Sequence, residues 1–232
     1  GQFKIGLLPS VYKRCIELGI KPIIVDMRQP LPKVSKVVTQ IGKYKLRPEQ
    51  EKAVKAILSN KLGETPFQIG VLDYTVNAGK TLIMSALYLS YKKQLKTLLI
   101  TNDSDWLNQA RDEFKQYLPG EDITFVQGKV LNWSNFTIGM VQSISRNMKY
   151  YQNELAKIDM VLIDEADQGG SKQYQNVITR LFNTRVRIGL SGTIYMSKLA
   201  KDKVKNTNLE VFFGKVLAEF KLKDSIKKGY ST

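Results

Sequence analysis

The chain has 232 residues and a formal net charge of +15, with 36 lysines and arginines against 21 aspartates and glutamates, no histidine and a single cysteine, Cys15. This composition excludes an internal disulfide, offers no histidine or cysteine cluster for zinc, and contains no apolar run near the ~20 residues of a membrane-spanning helix. The length suffices for one large α/β domain, or one domain and a small extra piece, with a core that needs no covalent staples.

The charge is uneven. Residues 1–60 carry twelve basic and four acidic side chains, residues 195–232 carry nine and four, and the 134 between them carry fifteen and thirteen. Basic flanks around a nearly neutral centre point to a polyanionic partner; a merely soluble basic surface is the alternative. No basic segment followed by an apolar core opens the chain, so a reducing, cytoplasmic compartment is expected. Gly1 in the first position suggests a piece of a longer product.

In chain order, Pro9 to Leu18 reads as a helix with proline in its early turn and Gly19 at its end. Ile23-Ile24-Val25 reads as a short strand between Pro22 and Asp26. Residues 28–45, with Pro30, Pro32 and Gly42 in a basic context, read as a linker. Pro48 to Leu58 is a predicted helix with Ala53, Val54, Ile57 and Leu58 on one face. From there strands predicted at 68–73, 96–101, 123–126, 136–140, 159–163 and 186–190 alternate with helices predicted at 79–93, 104–117, 142–155 and 172–182. Such alternation implies a doubly wound parallel sheet, whose ligands bind at the carboxyl ends of the strands.

Two motifs fall at such ends. Tyr74-Thr75-Val76-Asn77-Ala78-Gly79-Lys80-Thr81 leaves a strand and opens a helix, a geometry that aims backbone N–H groups and the positive end of the helix dipole at one point. Lys80 would neutralise the β and γ phosphates of a nucleotide and the Thr81 hydroxyl would ligate Mg²⁺. Tyr74 stands where the usual phosphate-loop pattern has glycine, and an ordinary helix start is the competing reading. Met160-Val161-Leu162-Ile163 then runs into Asp164-Glu165-Ala166-Asp167. Asp164 would hold Mg²⁺ and Glu165 would deprotonate the attacking water; a solvated acidic turn is the alternative. A third strand ends in Gly189-Leu190-Ser191-Gly192-Thr193, whose Ser191 and Thr193 are placed to hydrogen-bond Asp167 and couple the nucleotide site to a second site.

Phosphate loop, Asp-Glu-Ala-Asp and Ser-Gly-Thr, in this order and spacing, resemble motifs I, II and III of the superfamily 2 helicases. Leu46-Arg47-Pro48-Glu49-Gln50 resembles the segment that precedes motif I in that family. The resemblance implies a RecA-like α/β fold over 41–220, ATP and Mg²⁺ as cofactors, and Asn77, Ala78, Gly79, Lys80 and Thr81 around the phosphates, with Gln50 and Arg47 near the adenine. It places Thr101, Asn102 and Trp106 in one strand-contacting loop and Gln142 and Ser143 in another, where short polar groups hold phosphates without reading sequence. Trp106 packed on the sheet is the competing reading, and Lys129, Arg146 and Lys149 are either further phosphate contacts or a solvated basic face.

The chain lacks the Pro-Thr-Arg-Glu-Leu-Ala segment of DEAD-box RNA helicases and has Ser-Gly-Thr where they have Ser-Ala-Thr. Its spelling is closer to phage UvsW-like DNA helicases and to the motor subunits of restriction enzymes, so DNA is favoured over RNA. Residues 1–40 resemble the end of a small N-terminal accessory domain. Residues 221–232 resemble the start of a connection to a second RecA-like domain, whose arginines the family needs to complete the ATP site. The alternatives are a duplex translocase of a restriction system, an RNA helicase, or a non-motor binding module.

Overall fold

The computed structural model describes residues 3–128, 133–168, 170–192 and 209–230. Its centre is a seven-stranded sheet made from β5 (Ile69–Tyr74), β6 (Thr97–Thr101), β7 (Ile123–Val126), β8 (Phe136–Met140), β9 (Met160–Ile163), β10 (Val186–Ser191) and β11 (Val216–Phe220). The spatial order is β11-β5-β10-β9-β6-β8-β7, and every neighbouring pair is parallel. Two short hairpins, β1 (Gln40–Ile41) with β2 (Tyr44–Lys45) and β3 (Lys61–Leu62) with β4 (Thr65–Pro66), lie outside it.

Side chains of these strands alternate between two buried layers, as a sheet covered on both faces requires. Leu72, Leu99, Met160, Leu162 and Ile188 join α2 (Pro48–Leu58), α3 (Lys80–Ser90) and α4 (Ser104–Tyr117) in one layer. Val71, Leu98, Ile100, Val161 and Ile163 join α5 (Val141–Arg146), α6 (Met148–Leu155), α7 (Lys172–Ile178) and the helical residues 209–213 in the other. The helix α3 is buried along nearly its whole length because α2 and α4 flank it. This wedging fixes the loop that feeds its first turn.

The sequence expectations hold for most of this framework and fail at identifiable points. Ile23–Val25 has the composition of a strand but joins no ladder: Ile23 and Val25 stand 85% and 73% exposed, and propensity without a pairing partner makes no sheet. The single helix expected over 142–155 is two, α5 and α6, divided at Asn147, whose backbone leaves the helical region and whose side-chain amide donates to the Ser143 carbonyl. The helix expected to reach 182 ends at Ile178. The expected linker holds the β1–β2 hairpin. The N-terminal helix α1 (Leu8–Glu17) forms as expected.

Candidate nucleotide-binding site

The β5 strand ends at Tyr74, and six residues later Lys80 opens α3. The turn between them requires left-handed backbone at Asn77 (φ 64°) and Gly79 (φ 74°). A side chain at Gly79 would also collide with the Gln50 amide and stand 3.1 Å from the Arg47 guanidinium. Glycine is therefore required there on two counts, backbone conformation and space. At the position where the usual loop has its first glycine, the Tyr74 ring is buried and its hydroxyl donates to the Glu49 carbonyl at 2.6 Å. The departure from the pattern thus ties the strand to α2 and leaves the turn itself intact.

The β9 strand ends beside this loop with only β10 between them, so two inter-strand spacings, about 10 Å, separate the backbones. The Lys80 side chain spans the gap: its Nζ lies 3.1 Å from Asp164 Oδ1. Asp164 is 3% exposed, and its Oδ1 is buried with that ion pair but no aligned hydrogen bond. Glu165 follows in left-handed backbone, φ 50°, an uncommon conformation for this residue type and one that clusters at functional sites. Burial pushes its carboxyl above the usual range; the charges of Asp164, Asp167 and Asp103 push the same way and Lys80 opposes them. A carboxylate so tuned is a competent proton acceptor.

The next turn, Ala166–Gln168, lies against β10, where a Cβ at Gly189 would come within 2.7 Å of the Ala166 methyl. That close packing brings Ser191 Oγ to donate to Asp167 Oδ1 at 2.9 Å. Thr193, expected alongside Ser191, lies outside the described residues, as does Lys129.

Gly79, Lys80, Thr81, Val76, Asn77, Asp164 and Glu165 line one crevice of about 410 Å³, and Trp106, Gln109, Glu113 and Tyr117 of α4 form its other wall. Among the described residues no group of three or more acidic, histidine or cysteine side chains gathers to cage a metal. The donors present instead suit Mg²⁺, which takes one or two carboxylates and completes its shell with phosphate oxygens and waters. The buried Asp164 Oδ1, without a hydrogen bond of its own, and the Thr81 hydroxyl are the ligands that fit.

Gln50 is 1% exposed: its Nε2 donates to the Ala78 carbonyl at 2.9 Å and its Oε1 accepts from the Arg47 N–H at 2.8 Å. The two bonds tie the start of α2 to the turn that feeds α3. Thr101 is fully buried at the end of β6, where its hydroxyl accepts from the Asp103 N–H, so its side chain does not reach a surface strand. Trp106 faces the crevice from the first turn of α4, which packs against α3. Arg47 donates to the Asn77 carbonyl at 3.3 Å and its guanidinium lies 4.2 Å from the centre of the Tyr230 ring.

The other expected strand-contacting residues do meet. Strands β6 and β8 are neighbours, and Gln142 Nε2 donates to the Asn102 carbonyl at 3.3 Å. Ser143 Oγ accepts from the Gly128 N–H at 3.0 Å. Arg146 and Lys149 are exposed, with the Lys149 ammonium 4.9 Å from the Tyr150 ring centre. The residues missed by sequence reasoning are Gln109, Glu113 and Tyr117, whose spacing on α4 is that of any exposed helix face.

A parallel sheet of this order, with a phosphate loop and an Asp-Glu strand end closing on one crevice, defines a first RecA-like motor domain of the superfamily 2 helicase class, an ATP-dependent motor domain. A family model described as the res subunit of type III restriction enzymes matches residues 43–196, and the chain belongs to that family. A protein of Acanthamoeba polyphaga mimivirus described as an ATP-dependent RNA helicase is 26% identical over 147 residues, 63% of this chain and 27% of that protein. The chain thus spans about a quarter of the length of that relative. The UvsW helicase of bacteriophage T4 superposes with a TM-score of 0.67 at 20% identity, covering 93% of this chain and 78% of that one. The SWI2/SNF2 ATPase core of Sulfolobus solfataricus, solved in complex with dsDNA, superposes with a TM-score of 0.58 at 20% identity over 78% of this chain and 38% of that one. Among the described residues no helix is long and apolar enough to cross a membrane.

Proposed function

We propose that the chain is the ATP-hydrolysing half of a DNA helicase or translocase, built from a fragment of an accessory domain (1–40), the motor domain (41–220) and the start of a connection to a second RecA-like domain (221–232). The observation that carries this is the 3.1 Å approach of Lys80 to Asp164 across two strand ends, in a crevice that also holds Glu165 and Thr81. Backbone N–H groups from Asn77 to Thr81 receive the phosphate oxygens, and Lys80 turns from Asp164 to the β and γ phosphates. Mg²⁺, when bound through Thr81 and Asp164, neutralises charge that develops on the phosphates. Glu165 orients a water in line with the γ phosphate and accepts its proton, a task its raised pKa suits. Asp167 and Ser191, with Thr193, link this step to the strand-contacting loops. Asn102, Gln142 and Ser143 there meet backbone phosphates through short polar groups.

DNA is favoured over RNA by the restriction-enzyme family and by the dsDNA complex of the Sulfolobus core; the mimivirus relative keeps RNA as an arm of the test. The work would be done in the cytoplasm of a bacterial or phage-infected cell. The test is ATP hydrolysis by a longer protein carrying both motor domains, with single-stranded, duplex and branched DNA and RNA side by side. DNA stimulates most on this reading, and Lys80→Ala abolishes the activity. Stimulation by RNA alone would replace the DNA assignment, and an unaffected Lys80→Ala variant would refute the motor. The 232-residue chain by itself hydrolyses slowly, because the arginines of a second domain are worth orders of magnitude in rate.

A further inference from the structure

The amino ends of the strands, about 16 Å along β5 from the phosphate loop, carry a second cavity. Its volume is about 300 Å³. Phe67, just before β5, and Leu181 and Phe182, just before β10, form one side, and Ile5, Leu8 and Val25 of the N-terminal segment form the other. Phe182 is 58% exposed. Three charged residues, Asp26, Arg28 and Arg187, complete the lining.

The charges do not balance. Asp26 Oδ1 accepts from the Arg28 backbone N–H at 3.1 Å and from its Nε at 2.8 Å, and Oδ2 accepts from Arg28 Nη2 at 2.7 Å. Arg185 Nε stands 3.2 Å from the same Oδ2, so the carboxylate is fully engaged. Arg28 Nη1 donates to the Thr184 carbonyl, which leaves that guanidinium without a spare nitrogen. Arg187 differs. It is 8% exposed, its Nη2 donates to the Leu181 carbonyl at 3.1 Å, and its Nε is buried with no acceptor. Burial and the charge of Arg28 draw its pKa down to about 10, so it is still a cation at neutral pH. A buried cation with no counter-charge among the described residues is costly, and the partner it lacks is an anion.

We propose that this cavity binds a small monocarboxylate carried on an apolar body, the carboxylate pairing with Arg187 and the body lying against Leu8, Phe67 and Phe182. Of the two arginines in the lining only Arg187 has donors to spare, which suits one negative charge and not a phosphate dianion. The apolar remainder of the wall suits a hydrocarbon body. At roughly 30 Å³ for each water-sized group, the volume takes a ligand of about ten non-hydrogen atoms. Its walls come from both the N-terminal segment and the sheet, so the bound ligand fastens the two together. The inference stands apart from the nucleotide crevice and does not rest on its reading.

The experiment is a methyl NMR titration of the 232-residue chain with 3-phenylpropionate, and with 3-phenylpropanol as its uncharged counterpart. Phenylpropionate gives saturable shifts at the methyls of Ile5, Leu8, Ile24, Val25 and Leu181, which line the cavity. The alcohol binds about tenfold more weakly, the scale of one charged hydrogen bond. Arg187→Met keeps the length of the side chain and removes its charge, and it brings the two compounds to equal affinity. Phe182→Asp, at an exposed position, sets a like charge beside the carboxylate and weakens phenylpropionate about tenfold. The spectrum of each variant shows whether it is folded, and if Arg187→Met is not, Phe182→Asp carries the test. No saturable shift at these methyls overturns the proposal, as does equal affinity of the wild type for acid and alcohol. A folded Arg187→Met that still prefers the acid, or a Phe182→Asp that binds it undiminished, overturns it too.

Discussion

The Lys80–Asp164 pair can be tested without any ligand, by a double-mutant cycle in Lys80→Ala, Asp164→Asn and the two combined. The Asp164 side chain is 4% exposed and that of Lys80 18%. Removing the ammonium strands a buried carboxylate. Truncating one partner of a fully buried pair costs ~3–5 kcal/mol, and water admitted through the partly open lysine side lowers this to about 2 kcal/mol. Asp164→Asn leaves a lysine that can swing toward solvent and costs less than about 1 kcal/mol. The double variant has neither stranded group, so the coupling energy is ~1–2 kcal/mol. For a chain of this size a kcal/mol is ~2–4 °C in Tm, so Lys80→Ala melts about 4–8 °C below wild type and Asp164→Asn recovers much of the loss. Urea unfolding followed by circular dichroism gives the free energies. Additivity within ~0.5 kcal/mol would show that the two side chains do not sense each other, and would refute the geometry on which the site is built.

Hydrolysis by the two-domain protein should fail on the acid side at a higher pH than an ordinary glutamate would dictate. Glu165 must be ionised to accept a proton, its pKa is raised by burial, and the base is therefore lost earlier as pH falls; a pH–rate profile with an ordinary carboxylate midpoint would contradict this. Gly79→Ala places a Cβ in left-handed backbone and against the Gln50 amide, so denaturant titration should record a loss above the ~1–2 kcal/mol of the backbone term alone. Ser191→Ala removes the hydrogen bond to Asp167; hydrolysis should persist within a few-fold while strand displacement per ATP drops, and equal loss of both would deny a coupling role. In α5 and α6, Asn147→Ala removes the amide bond to the Ser143 carbonyl and should cost ~0.5–1.5 kcal/mol in the same unfolding assay.

The elements most legible in the sequence are those whose ends carry local chemistry. The helix predicted over 104–117 starts where Asp103 accepts from the Asp105 and Trp106 N–H groups, and its observed bounds are the same. Pro48 marks the start of α2 equally well. The strand β11 was not legible because its apolar run is only Val216 to Ala218 before the exposed Glu219, too short to tell a strand from a loop. Ile23–Val25 shows the opposite failure, strong local preference with no partner strand. At the site, residues tied to backbone geometry, Gly79, Lys80 and Asp164, were readable from spacing. The hydrogen-bond partners of Gln50 and the crevice-facing side of Trp106 were not, because they are decided by how α2, α3 and α4 pack, information that motif order does not carry.

The last described residues do more than trail away from the sheet. Lys221 pairs with Asp73 in β5, Lys228 Nζ stands 2.6 Å from Glu49 Oε2, and Tyr230 lies under Arg47, which itself holds the Asn77 carbonyl. Each fastening lands on the strand, helix or turn that shapes the phosphate loop. Tension applied to the backbone near Tyr230 would therefore travel through one guanidinium to the turn at Asn77, and a nucleotide gripped by that turn would stiffen the same tether from its other end.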